Sequence, residues 1–290
     1  MSGLKELRSR ISSVKSTRQI TSAMKMVAAA KLKGAQDRIV AFRPYAEKMQ
    51  GIACSLSNTD NEKITSPYLL PSKSAKVLIV LFTSNRGLCG GFNNNIFKKA
   101  VEWAYHNYQE AIKNNDLCFY CIGKKGGELI KRRGFKIDFV DNTIYEKISF
   151  ANSNKIAEHL MQLYSDGIYG KIDIAFNNFK NAGVQIQTIE RFLPVSLPSG
   201  KQKPIDYLFE PSLKEIMSEL IPKTLRVHFF KALQNSFASE QGARMTAMHQ
   251  ATDNASEIIK ELTLQYNKAR QAAITNEILE ITSGAEALKS

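Results

Sequence analysis

The sequence predicts an α/β protein in which long N- and C-terminal helices pair as an antiparallel coiled coil, with a central α/β domain inserted between them. Three observations carry this. From Lys223 to Ser290 there is no proline, and only Gly242 and Gly284 interrupt the stretch; as one helix it would extend on the order of 90 Å, with Gly284 read as its stop. From Leu4 to Leu56 apolar residues recur with the 3.5-residue period of a coiled coil. Between these ends the pattern changes to β-branched runs alternating with helical stretches, the layout of an α/β domain.

Composition narrows the function classes. With 43% hydrophobic and 23% charged residues, the chain is globular rather than disordered. A formal net charge of +13 calls for an anionic partner: nucleic acid, acidic lipid or an acidic protein surface. Four cysteines, Cys54, Cys89, Cys118 and Cys121, are too few for a secreted disulfide framework. The N-terminus lacks a signal-peptide layout, and no apolar run approaches the ~18 residues of a membrane span. The expectation is a cytoplasmic protein that reaches a membrane only through a partner.

The elements follow in order. Residues 1–57 read as one helix with a seam at Leu4, Leu7, Ile11, Val14, Arg18, Thr21, Lys25, Ala28, Leu32, Ala35, Ile39, Phe42, Ala46, Met49, Ala53 and Leu56. The seam turns polar at Arg18, Thr21 and Lys25, with Met24 and Met26 beside it; such a break sets register or marks a different partner. Pro44 removes a backbone donor without ending the seam. Residues 58–75 form a Ser-, Thr-, Asn- and Pro-rich linker. The run from Lys76 to Thr83 is apolar throughout, as in a strand buried on both faces. A glycine turn, Ser84–Asn94, then leads into a helix ending near Asn115. Further strands are expected at Leu117–Ile122 and Lys136–Val140, with helices at Lys124–Arg133 and Asn154–Tyr169. Lys171–Phe176 and Val184–Phe192, joined by the turn Asn181–Gly183, read as an edge hairpin. Residues 76–195 are thus a Rossmann-like domain, 196–210 a separate segment and 211–290 the second long helix. The seam of that helix is read at Met248, Ala251, Ala255, Ile258, Leu262, Tyr266, Ala269 and Ala273. From Arg270 onward it loses its regular apolar steps, so the helix end is expected to run alone.

No stretch supplies the chemistry of an enzyme. Arg86, Gly87, Gly90 and Gly91 punctuate a strand-to-helix turn, yet they fit neither G-x-G-x-x-G nor a P-loop. The turn reads as tight packing, with Arg86 available to an anion or a neighbouring subunit. Cys118 and Cys121 spell C-x-x-C inside a strand, where positions three apart point to opposite faces. The four histidines, His106, His159, His228 and His249, are scattered. Neither a cofactor nor a metal is called for. Between Lys5 and Lys48, eleven Lys or Arg stand against Glu6, Asp37 and Glu47. That face suits acidic protein loops or a nucleic acid, although the aromatic interleaving of a single-strand binder is missing. A basic coiled-coil nucleic-acid binder or scaffold, and a free-standing Rossmann-like enzyme, are the rival readings.

Four stretches, ITSAMKMVAAAKL (20–32), SNRGLCGGFN (84–93), ASEQGARMTAMHQATDNA (238–255) and YNKARQAAITNEILEITSGA (266–285), together resemble the gamma subunits of F-type ATP synthases. The resemblance spans essentially the whole chain in order. Ile274, Thr275, Glu277, Glu280, Gly284 and Ala285 fall on that family's C-terminal signature. It implies a bacterial-type rotor shaft: paired terminal helices inside a ring of alpha and beta subunits, and an α/β domain resting on the membrane c-ring beside the epsilon subunit. Ion-driven rotation is then coupled to ATP synthesis and hydrolysis at the beta subunits. The resemblance implies no substrate, cofactor or nucleic acid for the chain itself, and a peripheral place at the cytoplasmic face of a bacterial inner membrane. It further implies that Arg270, Gln271, Thr275 and Glu277 hydrogen-bond a beta-subunit loop, with Met24 and Lys25 near that subunit's acidic lever. Tyr207, Phe209 and Glu210 would form the foot on the c-ring and epsilon. Two residues depart from the pattern: Lys25 stands where many relatives carry an acid, and Phe209 lacks the hydroxyl of the tyrosine common there.

Overall fold

The computed structural model of the chain describes residues 2–57, 66–195, 210 and 212–287. It has long helices at either end, α1 (Ser2–Ser57) and α6 (Leu213–Ala287). Between them, in order, lie β1 (Val77–Phe82), α2 (Phe92–Asn107), α3 (Gln109–Lys113), β2 (Leu117–Ile122) and α4 (Lys124–Arg133). β3 (Lys136–Asp141), α5 (Phe150–Ser165), β4 (Lys171–Phe179) and β5 (Gln185–Leu193) complete the series. Two compact units result: Met1–Ala28 with Met245–Ser290, and Ala29–Arg244.

The first unit is a pair of helices. Along α1, Leu4, Leu7, Ile11 and Val14 are half-buried, Thr21 and Ala28 are buried, and only Arg18 among its seam positions is exposed. The α6 seam matches the expected one at Ala251, which is half-buried, and departs from it at Ile258. Ile258 is 45% exposed, whereas Met248 and Ala255 are buried and Thr252, Ile259, Leu262, Tyr266, Ala269 and Ala273 are half-buried. Those residues step alternately four and three, the strict heptad, which puts Ile259 rather than Ile258 in the seam. At the polar break, the hydroxyl oxygens of Thr21 and Thr252 lie 2.8 Å apart. Each hydroxyl also reaches a carbonyl of its own helix, Arg18 O at 3.0 Å and Met248 O at 2.7 Å. One can therefore donate to the other without leaving either unsatisfied. Gly284 does not stop α6, which continues to Ala287; with no neighbour within 4 Å of its Cβ direction, nothing there demands a turn.

The second unit is built on a five-stranded sheet in the order β3-β2-β1-β4-β5. The first four strands are parallel and β5 runs antiparallel along β4. β1 is buried along its whole length because both sheet faces are covered. Leu78, Val80 and Phe82 face one core with Ile156 and Leu160 of α5 and Met217, Leu225 and Phe229 of α6. Val77, Ile79 and Leu81 face the other core, with Ile96, Ala100 and Ala104 of α2 and Ile130 of α4. Cys118 packs on the first core and Cys121 on the second, so the C-x-x-C cysteines lie on opposite faces. Within this unit too the terminal helices meet antiparallel: Lys31 lies near enough to act on Glu240, and Phe42 packs edge-on against Phe230 at 5.0 Å.

Several boundaries have local causes. α5 begins at Phe150 rather than Asn154 because the Ser149 hydroxyl caps it, accepting from the Asn152 N–H at 3.2 Å. It ends at Ser165, just before Gly167 with φ +72°. The helix expected to reach Asn115 breaks at Tyr108, whose backbone leaves the helical region (φ −136°, ψ 38°). The Tyr108 hydroxyl donates to Asp173, which is fully buried and also accepts from Trp103 Nε1 at 2.9 Å and from Arg191 Nε. This network ties α2 to β4 and β5. α6 starts ten residues earlier than the proline-free stretch and carries Pro222 inside it. The β4–β5 turn is an Asx turn, with Asn181 Oδ1 accepting from the N–H groups of Gly183 and Val184 at 3.0 and 2.8 Å.

Candidate functional site

The glycine turn sits where a doubly wound sheet would hold a ligand: at the carboxyl ends of the strands, beside the switch point between β1 and β4. Its polar groups are committed elsewhere. The Ser84 N–H donates to Asn93 Oδ1 at 2.9 Å, Ser84 Oγ donates to Arg86 O at 2.7 Å, and Asn93 Nδ2 donates to Cys89 Sγ at 3.3 Å. Burial pushes the Cys89 thiol up from its ordinary pKa. Leu88 and Gly90 take left-handed conformations, φ 62° and 58°. What the turn presents outward is carbonyl oxygen: Arg244 Nη2 donates to Arg86 O at 3.0 Å and Gly87 O at 3.4 Å. That is the opposite polarity from an anion cradle.

Arg244 is held from behind by Glu240, one helical turn earlier on α6, whose carboxylate accepts a hydrogen bond from Arg244 Nη1. Both side chains are nearly enclosed, 11% and 9% exposed. Burial raises the Glu240 pKa and Arg244 opposes the rise. Two further contacts close α6 over the switch point. Ser239 Oγ donates to Asn177 O on β4 at 3.0 Å. A Cβ on Gly242 would lie 3.2 Å from the Ala182 backbone, so glycine lets the helix meet the hairpin turn. A cavity of about 380 Å³ between Ala46 and Ala53 of α1, β5 and α6 reaches no residue of the turn. Sequence reasoning missed this clasp because its halves are 157 and 158 residues apart. The usable signal was that Arg244 and the turn both belong to conspicuous motifs.

In the helical-pair unit, the candidate residues of α6 lie on exposed surface. Arg270, Gln271, Thr275 and Glu277 are all exposed. Thr275 donates back to Gln271 O at 2.9 Å, leaving its oxygen lone pairs outward. Beyond Ala273 every described side chain to Ala285 is exposed. These include Ile274 (48%), Ile278, Leu279 and Ile281 (66%), apolar residues left exposed among the described residues. On α1, Met24 and Lys25 are half-buried, while Ile20, Met26 and Val27 are more than half exposed. Of the foot residues, Glu210 is exposed, and Tyr207 and Phe209 lie outside the described residues. Arg86, Gly90 and Gly91 are exposed and Gly87 half-buried. No group of three or more His, Cys, Asp or Glu suited to a metal occurs among the described residues.

Comparison with known proteins gives one consistent result. A family model described as ATP synthase matches residues 3–288. The chain is 53% identical over 289 residues to the ATP synthase gamma chain of Christiangramia forsetii, covering 99% of each. It is 43% identical over 291 residues to that of Geotalea daltonii, covering all of both. Among solved structures, it is similar to a chain of the central stalk and c-ring of Tetrahymena thermophila mitochondrial ATP synthase, at TM-score 0.57 and 26% identity, covering 80% of this chain and 99% of that one. A chain of Euglena gracilis mitochondrial ATP synthase shares the fold at TM-score 0.69 and 19% identity, covering 99% and 95%.

Proposed function

The chain belongs to the ATP synthase gamma-chain family, and on that premise we propose that it is the central rotor shaft, coupling ion-driven rotation of the c-ring to ATP synthesis and hydrolysis at the beta subunits. The observation that carries the mechanical part is the bare end of α6: from Ile274 to Ala285 every side chain is exposed, four of them large and apolar. A soluble helix does not keep such a row in water without a partner. Within the alpha–beta ring, those residues would turn against apolar walls while Arg270, Gln271, Thr275 and Glu277 hydrogen-bond a loop of one beta subunit at a time. Each beta subunit then meets a different side of the shaft, and the difference in contact energy shifts its conformational equilibrium. Met24 and Lys25 would face the acidic lever of the beta subunit.

We assign residues 1–57 and 211–290 to the shaft, 76–195 to the body beside the epsilon subunit, 58–75 to a linker, and 196–210, with Tyr207, Phe209 and Glu210, to the foot on the c-ring. The chain adds no catalytic group of its own in this reading; the carbonyl polarity of the glycine turn supports that, since it repels rather than holds a phosphate. No described helix is long and apolar enough to cross a membrane, and attachment to the inner membrane's cytoplasmic face would come through the foot. The test is reconstitution. The chain added to purified alpha and beta subunits should restore ATPase activity, and Arg270→Ala with Gln271→Ala should weaken assembly or coupling. Undiminished assembly and proton-coupled synthesis in the double variant would remove those two residues from the coupling site.

A further inference from the structure

We propose that the edge of the sheet where its parallel strands begin is a docking surface for anionic phospholipid headgroups; this rests on the rotor reading, which turns that edge toward the membrane. Lys76, Lys136 and Lys171 stand at or just before the starts of β1, β3 and β4. The register pairs Val77 with both Leu117 and Lys171, and Cys118 with Lys136, so the three lysines mark one line across the sheet. With strands about 4.8 Å apart, that line is roughly 15 Å long. The last turn of α4 adds Lys131, Arg132 and Arg133 at the same edge. All six are exposed, and none makes an ion pair among the described residues. Lys136 donates to Asn115 O at 3.0 Å, and the Lys171 ammonium lies 5.8 Å from the Tyr108 ring centre. Acidic neighbours at this edge are Glu110, Asp116 and Asp166, with Asp138 further along β3, so cations remain in excess.

A helix C-terminus attracts cations by its dipole, which accounts for the three on α4. It does not account for Lys76 and Lys171, which sit on strand starts. Nor does it account for the apolar side chains among them: Leu70 and Tyr105 are each 54% exposed and Ile168 is 43% exposed. The loops that carry Leu70 and Ile168 are joined, with Ser74 Oγ donating to Ile168 O at 3.1 Å and the Gly170 N–H to Lys76 O at 2.8 Å. Lysines interleaved with Leu, Ile and Tyr make the composition of a membrane–water interface, where a nucleic acid would leave the aliphatic residues in water. The direction of the edge follows from the chain path. β5 ends here, with Leu193 paired to Ile172, and the Val195 N–H donates to Tyr68 O at 2.8 Å, so the segment leading to the proposed foot departs from this edge. The opposite edge is the one α6 closes.

Flotation of the full-length chain with vesicles tests this. Vesicles of phosphatidylcholine with one quarter phosphatidylglycerol should bind the chain, and pure phosphatidylcholine should not. The edge variant K131Q/R132Q/R133Q should lose on the order of 100-fold in partitioning, while K5Q/R8Q/K15Q on α1, with the same charge removed, should lose less than about threefold. I168S should weaken the part of the binding that survives high salt. Equal losses in the two triple variants would reduce the effect to net charge and overturn the proposal. So would binding to a detergent-solubilised c-ring without binding to vesicles, which would reassign the edge to protein carboxylates. The edge variant should still restore ATPase activity to alpha and beta subunits; a wild-type chain that binds vesicles yet restores no activity would instead remove the rotor reading.

Discussion

Arg244 and Glu240 hold the most consequential contacts in the body of the protein, because one buried ion pair joins α6 to the turn after β1. Replacing Arg244 with Ala strands an acid in a dry site and frees two carbonyls, a loss of roughly 3–5 kcal/mol. The pH dependence gives this a signature. Burial holds the Glu240 pKa above its unfolded value, so its ionisation opposes folding as pH rises through that interval. Without Arg244 the pKa rises further, and the deficit of R244A relative to wild type should grow between pH 4.5 and pH 8 in urea unfolding. Adding Glu240→Gln should flatten that growth; a deficit independent of pH would contradict the assignment. Asp173 offers a second residue-scale test. Asp173→Asn leaves Arg191 without its ion-pair partner and should cost about 3 kcal/mol. It should also shift the emission of Trp103, the only tryptophan, whose indole N–H bonds to that carboxylate; unchanged emission and midpoint would show the network to be dispensable.

Among the elements, the long helices behave as their periods require, and two tests address them. A double-mutant cycle on Thr21→Val and Thr252→Val should give a coupling of about 0.5–1.5 kcal/mol, the worth of one buried hydrogen bond; zero coupling would mean the two hydroxyls do not set the register. Gly284→Ala in the isolated chain should raise helicity by circular dichroism and stabilise the tip by about 0.5–1 kcal/mol, since the site is mid-helix and open. A fall in helicity would restore Gly284 as a stop. The same elements show what was legible in the sequence. The α1 seam could be read to the residue because apolar spacing is a local property, and β2 and α4 matched from Leu117 to Arg133 because turns punctuate them. The α6 seam was off only at Ile258, because the adjacent Ile258 and Ile259 both satisfy the apolar spacing. The start of α5 was missed because its cap is a serine hydroxyl outside the apolar pattern, and the break at Tyr108 because its cause, Asp173, lies 65 residues away.

At the scale of the whole molecule, one helix takes the place where a doubly wound sheet would hold a ligand. The crevice of the sheet is closed by α6 through Ser239, Gly242 and Arg244, so helix stands where a ligand could have been held. This was only half visible in the sequence: the motifs could be named, but a clasp between residues 158 apart exists only in three dimensions. The bare tip should tolerate single polar changes in the isolated chain with little loss of stability, because those side chains are exposed there, while Ile278→Asp should impair the assembled complex by tenfold or more; equal effects on both would contradict its role as a bearing surface. The measurement that bears most directly on the rotor claim is a single-molecule one, with alpha and beta subunits fixed to a surface and a probe attached to a cysteine introduced at Lys113 in the body. On addition of ATP, the account predicts continuous rotation of the probe in one direction, at a rate that follows hydrolysis. Hydrolysis at full rate with the probe stationary would contradict it.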